Sequence, residues 1–170
     1  MGNRSRIVGT VQFYEVGGTY QVSGLTYRQM VPDDPGNIQK ISDGHVPAYV
    51  PTDADTFMNS TVSIEQEEGT KEFSYAELVM STSIEMKDLK VESVYTTDNE
   101  DSSSNGAMTL TCASDGITIL VRTAVLYDEN KTLITADAYE GKTIDVRGIV
   151  DYYDGTYQIK VFSADGITVK

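Results

Sequence analysis

The chain has no tryptophan, one cysteine, one histidine and four prolines in 170 residues. A single cysteine, Cys112, cannot form an intrachain disulfide. It sits in the strand-like run Met-Thr-Leu-Thr-Cys and reads as a small buried hydrophobe. The single histidine, His45, lies beside a turn without the partners of a catalytic triad, and there is no Gly-x-Ser-x-Gly. No Cys/His spacing suits a metal. The chain is therefore read as non-enzymatic and as carrying no cofactor. No apolar run is long enough for a transmembrane span. Met-Gly-Asn-Arg-Ser-Arg leads into no apolar core of a signal peptide. Positive charge is scarce as well: 13 Lys and Arg stand against 26 Asp and Glu, giving a net charge of −13. That balance disfavours nucleic acid and phospholipid head groups as partners.

What is present is tyrosine, eleven residues of it, and β patterning. The clearest stretch is Gly141 to Lys170. Asp154-Gly155 is a two-residue type I′ turn signal flanked by strand formers. With that turn, Val146, Val150, Tyr152, Tyr157, Ile159 and Val161 share one face, because side chains alternate along a strand. Asp145, Arg147, Asp151, Gln158 and Lys160 share the other, with Ile149, Tyr153 and Phe162 among them. A weaker copy occupies Gly9 to Val22. Gly9 matches Gly148, Val11 matches Val150, Tyr14 matches Tyr153, and Thr19-Tyr20-Gln21 matches Thr156-Tyr157-Gln158. Phe13 and Tyr20 then take the places of Tyr152 and Tyr157. Similar hairpins at opposite ends point to two units of one fold.

Between the hairpins, Ser23 to Tyr27 is strand-like, and Val31 to Gly44 carries turn chemistry at Pro32 and Asp33-Asp34-Pro35-Gly36. Pro47 and Pro51 bracket an extended connector. Thr52 is read as the cap of a short helix through Met58. Val62 to Ile64 is a short strand and Glu65 to Gly69 a loop. Ala76 to Val94 is strand-rich with a bend at Lys87-Asp88. Thr97 to Gly106 has the composition of a disordered loop. Ala107 to Cys112 and Ile117 to Leu126 are strands joined by an Asp115-Gly116 turn. Thr135 caps one helical turn. Three strands, a short helix and two strands make the order of an OB-fold, a five-stranded Greek-key barrel.

The fold class expected is thus all-β: a complete OB-like barrel at 71–170, a connector at 46–70, and at 1–45 the hairpin remnant of a second OB-like unit. The chain resembles OB-fold modules of secreted bacterial proteins, tandem in type, some attached to extracellular nucleases. Gly141-Lys142-Thr143-Ile144, Val146, Gly148-Ile149-Val150, Tyr153, Gly155, Tyr157-Gln158 and Asp165 carry that likeness, with Ile117 and Val121 upstream. Residues 5 to 51 resemble the tail of a preceding module with its proline-marked connector. The resemblance implies secretion or display at the cell surface. The strands that should precede the first hairpin are missing, which suggests a chain cut from a longer one.

OB-folds bind ligands on strands two and three and on the neighbouring loops. Tyr14, Tyr153 and Phe162 are candidate stacking residues on the mixed face. Arg122 is the one basic residue between Ala107 and Leu126. Asp98, Glu100 and Asp101 offer hard oxygen ligands for calcium. Their spacing lacks the glycine of an EF-hand loop, and a solvated loop is the favoured reading. The chain reads first as a spacer or interaction module with a protein or glycan partner, and alternatively as a ligand-binding module for single-stranded nucleic acid or carbohydrate. Val11, Phe13, Tyr20 and Val22 need cover, expected from the connector and the 71–170 unit or from a second chain, as a homodimer paired through the N-terminal hairpin. The turn itself is testable. Gly155→Val is expected to destabilise by ~1 kcal/mol or more in denaturant melts, since a β-branched residue is strained at positive φ.

Overall fold

The computed structural model describes residues 2–15, 19–23 and 38–170. The expected strand beyond Ser23, the turns at Pro32 to Gly36 and most of the first hairpin loop lie outside them. The chain divides into two compact units. One is Met1–Ala48 with Tyr152–Gly155, and the other is Tyr49–Asp151 with Thr156–Lys170.

In the first unit, β1 (Arg4–Ile7) pairs antiparallel with β4 (Ile38–Ser42), and β2 (Thr10–Tyr14) pairs antiparallel with β3 (Thr19–Ser23). The register of the second ribbon sets Val11 opposite Val22 and Phe13 opposite Tyr20. The Phe13 and Tyr20 rings sit 5.2 Å apart at 57°. All four of these side chains are exposed in the single chain.

The second unit opens with β5 (Val50–Pro51), which pairs parallel to the start of β8 (Ser83–Thr96). Between them come α1 (Ala54–Asn59), the hairpin of β6 (Thr61–Gln66) and β7 (Gly69–Ser74), and α2 (Tyr75–Leu78). The cap of α1 is Asp53, not Thr52. Its carboxylate accepts from the Thr56 N–H at 2.7 Å and from the Thr56 hydroxyl at 2.9 Å. These bonds hold the Asp53 carboxyl below its ordinary range. The loop expected at 65–69 is largely strand, with a tight turn at Glu67-Glu68. The strand expected from Ala76 begins at Ser83, because Ser74 and Glu77 start a helix there: the Ser74 hydroxyl accepts from the Glu77 N–H. The segment read as a connector thus carries α1, which packs against α2 and the later strand Ile117–Thr123 and buries Ala54 and Phe57 in the barrel core.

The barrel is closed and five-stranded. β8 pairs antiparallel with β9 (Met108–Ser114), and β9 with β10 (Ile117–Thr123). β10 pairs parallel with β12 (Thr156–Val161), β12 neighbours β11 (Thr143–Tyr153), and β11 returns antiparallel to β8. This is the OB topology. The two tight turns are as expected, with positive φ at Asp115 and Gly116 and at Asp154 and Gly155. Of the predicted inward face, Val146, Val150, Ile159 and Val161 are buried and Tyr152 and Tyr157 half-buried; Ile144, Val91, Leu110, Cys112, Ile119 and Val121 complete the core. Gly148 has no room for a side chain: a Cβ there would lie 2.6 Å from Ile159 Cγ2 and from the Lys160 carbonyl oxygen. That close approach of β11 to β12 explains the glycine.

The bend at Lys87-Asp88 is present, with Asp88 at φ 58°. A short 3₁₀ turn, Ala136–Ala138, follows β10, but the Thr135 side chain makes no capping bond. The chain ends with β13 (Ile167–Val169), antiparallel to β11. The loop 97–106 is not disordered. Thr97 and Gly106 or Ala107 exchange backbone bonds at 2.8 Å, and Asn99, Ser102 and Asn105 side chains accept backbone N–H groups within it.

Phe57 gives a direct test of α1 as part of this core. It is 1% exposed, so Phe57→Ala should cost about 3–5 kcal/mol in chemical denaturation. A mere connector would give almost no change.

Candidate functional site

Outward residues of the barrel follow from the same alternation. The register places Tyr95 opposite Thr109, Thr109 opposite Arg122, and Arg122 beside Lys160. These four form a row across β8, β9, β10 and β12. Two basic side chains that lie far apart in sequence are therefore neighbours.

Arg122 is half-buried. It donates from Nη1 to Thr109 Oγ1 and from Nη2 to Thr97 Oγ1, both at 3.0 Å. Among the described residues it makes no ion pair, while its hydroxyl partners fix its direction without neutralising it. Lys160 differs. Its ammonium lies 3.6 Å from Asp151 Oδ2, which also accepts from Gln158 at 2.9 Å, and 5.9 Å from the centre of the Phe162 ring. Phe162 is 56% and Tyr95 67% exposed. The face thus offers two aromatic plates, threonine hydroxyls and one oriented guanidinium. A guanidinium of this kind accepts a carboxylate or a set of hydroxyl oxygens.

Of the candidates from sequence, Arg122 and Phe162 meet on this face through Lys160. Tyr153 is exposed at the hairpin tip and falls in the other compact unit, as does Tyr14 on β2. Asp98, Glu100 and Asp101 are exposed on the 97–106 loop, and no described group of three or more metal-type side chains converges there or elsewhere. Tyr95 and Thr109 were missed, although alternation from the inward Val94 and Leu110 points both outward. The Arg122–Lys160 contact carries no local signal at all.

The other ionic groups are structural. Arg147 binds Glu85 Oε1 through Nε and Nη2, each at 2.8 Å, and lies over Tyr49. His45 shares a 2.7 Å bond with the Ser42 hydroxyl on the surface. Burial, aided by Glu92, pushes the Cys112 thiol up to about 12, so it is inert rather than nucleophilic.

No protein-family model matches the chain. A search of the curated proteins finds no relative.

One ion cluster gives a pH prediction. Lys170 Nζ lies 2.5 Å from Asp88 Oδ1 and 3.0 Å from Asp145 Oδ1, tying β13 to the bend in β8. Burial opposes ionisation of Asp145, but the Asp88 N–H and Lys170 outweigh it and lower its pKa. Hydrogen bonds to Asp88 and Asp145 raise that of Lys170. A lowered carboxyl stabilises above its ordinary value of 3.8 and loses that contribution as pH falls through its folded pKa. A raised ammonium stabilises below 10.5 and loses its contribution as pH rises through its folded pKa. The melting-temperature gap between wild type and Lys170→Met should therefore be widest between these limits and shrink at both ends. A gap independent of pH would count against the cluster.

Proposed function

We propose that the chain is a non-catalytic OB-like module of a secreted bacterial protein, serving as an interaction domain through the outer face of β9 and β10. Arg122 carries this reading. A half-buried charge held by Thr97 and Thr109, with no carboxylate partner among the described residues, is oriented for an acceptor supplied from outside. The flanking Tyr95 and Phe162 suit the flat face of a sugar ring or an apolar side chain of a protein partner. The module would then act as spacer and contact point beside other domains.

Single-stranded nucleic acid is the second reading, favoured by the adjacency of Arg122 and Lys160 to two aromatics. Stacking supplies about 1–3 kcal/mol per base. Phosphate contacts gain from counterion release only where lysine or arginine makes them. Here Lys160 is already paired to Asp151, and the net charge is −13. Electrostatics therefore ranks a protein or glycan ligand first.

Fluorescence anisotropy with labelled oligothymidine and a glycan panel with neutral and uronic-acid members separate the two. Oligothymidine should bind weakly or not at all at about 150 mM salt, where the Debye length is about 8 Å. A positive glycan should lose about tenfold in affinity, or about 1.4 kcal/mol, in Arg122→Gln and in Tyr95→Ala, with the melting temperature kept. Micromolar binding of oligothymidine would move the reading to nucleic acid.

A further inference from the structure

The β2–β3 ribbon presents one face built of Val11, Phe13, Tyr20 and Val22, which are 68%, 48%, 71% and 50% exposed. The opposite face carries Gln12 across from Gln21. The matching positions of the C-terminal hairpin behave otherwise. Val150 and Ile159 are 1% and 0% exposed in the closed core, Tyr157 packs against it half-buried, and Tyr152 is half-buried. One sequence pattern thus closes a barrel in one copy and faces water in the other. A lone two-stranded ribbon is marginally stable in water, and an apolar face of this kind marks a contact surface.

Charge says what can meet it. Residues 1–48 hold Arg4, Arg6, Arg28 and Lys40 against Glu15, Asp33, Asp34 and Asp43, and so are neutral; the entire net charge of −13 lies in residues 49–170. Two copies meeting through their barrels would bring like charges together. Two copies meeting through the neutral, apolar ribbon would not.

We propose that this face is a homodimer interface, on which the β2–β3 ribbon of one copy packs against the same ribbon of a second. A patch packing on itself about a two-fold axis is the commonest oligomer geometry. The Phe13–Tyr20 pair sits within it as the aromatic anchor typical of such contacts. Two stacked ribbons make two layers, each covering the other's apolar face. The inference stands independently of the ligand face on the barrel.

The test is sedimentation equilibrium on the full chain over a range of concentrations. The expected mass is twice the 18.6 kDa of one chain. The dimer should tighten as salt screens the acidic barrels. Phe13→Ser combined with Tyr20→Ser should weaken dimerisation by about tenfold or more, with the circular-dichroism melt of the barrel kept. Gln12→Ala combined with Gln21→Ala, on the opposite face, should remain dimeric. A mass of 18.6 kDa at every concentration overturns the proposal. It does so whether the monomer binds a hydrophobic dye, as a face left for a different partner would, or excludes it, as a face covered by its own chain would. A double serine variant that dimerises like wild type overturns it too.

Discussion

The barrel depends on one non-local contact, the parallel pairing of β10 with β12. It sets Val121 beside Ile159 and Thr123 beside Val161. It joins the β8–β9–β10 meander to the C-terminal hairpin and, with the β11–β8 pairing, closes the wall. The Thr123 hydroxyl, buried at this seam, accepts the Met108 N–H at 2.9 Å. Closure removes the main sheet edges that antiparallel sheets otherwise have to protect. It also creates the row in which Arg122 and Lys160 stand together, so the fold and the candidate site share a cause.

Local chemistry made much of this legible. Asp-Gly at 115–116 and 154–155 favours turns in which both residues take positive φ, as they do here, and strands on either side then follow by alternation. The core residues of β11 and β12 could be named from that rule alone. The order of elements gave the barrel, since few topologies place three strands, a short helix and two strands in sequence.

What escaped was short or non-local. The short helix α1 is legible with its cap one residue early, but the burial of Phe57 is not, because it depends on packing against α2 and the distant β10. The β6–β7 hairpin was masked by Glu65, Glu67 and Glu68, residues of low strand preference that are tolerated because the ribbon is largely exposed. The loop 97–106 looked disordered by composition, yet its asparagines and serines fold it by binding its own backbone. The Arg122 environment required the register of three strand pairs, which no local pattern encodes.

The parallel seam also orders events in time. Synthesis proceeds from the N-terminus, so β8, β9 and β10 leave the ribosome before residues 156–161 exist. Until β12 arrives, Val91, Leu110 and Ile119 line an open sheet with an uncovered apolar side. Such a sheet is prone to stick to its neighbours. Glu92 and Asp115 sit at its surface, and the acidic excess of residues 49–170 makes growing chains repel one another. The acidic excess of the finished barrel thus also guards the unfinished one.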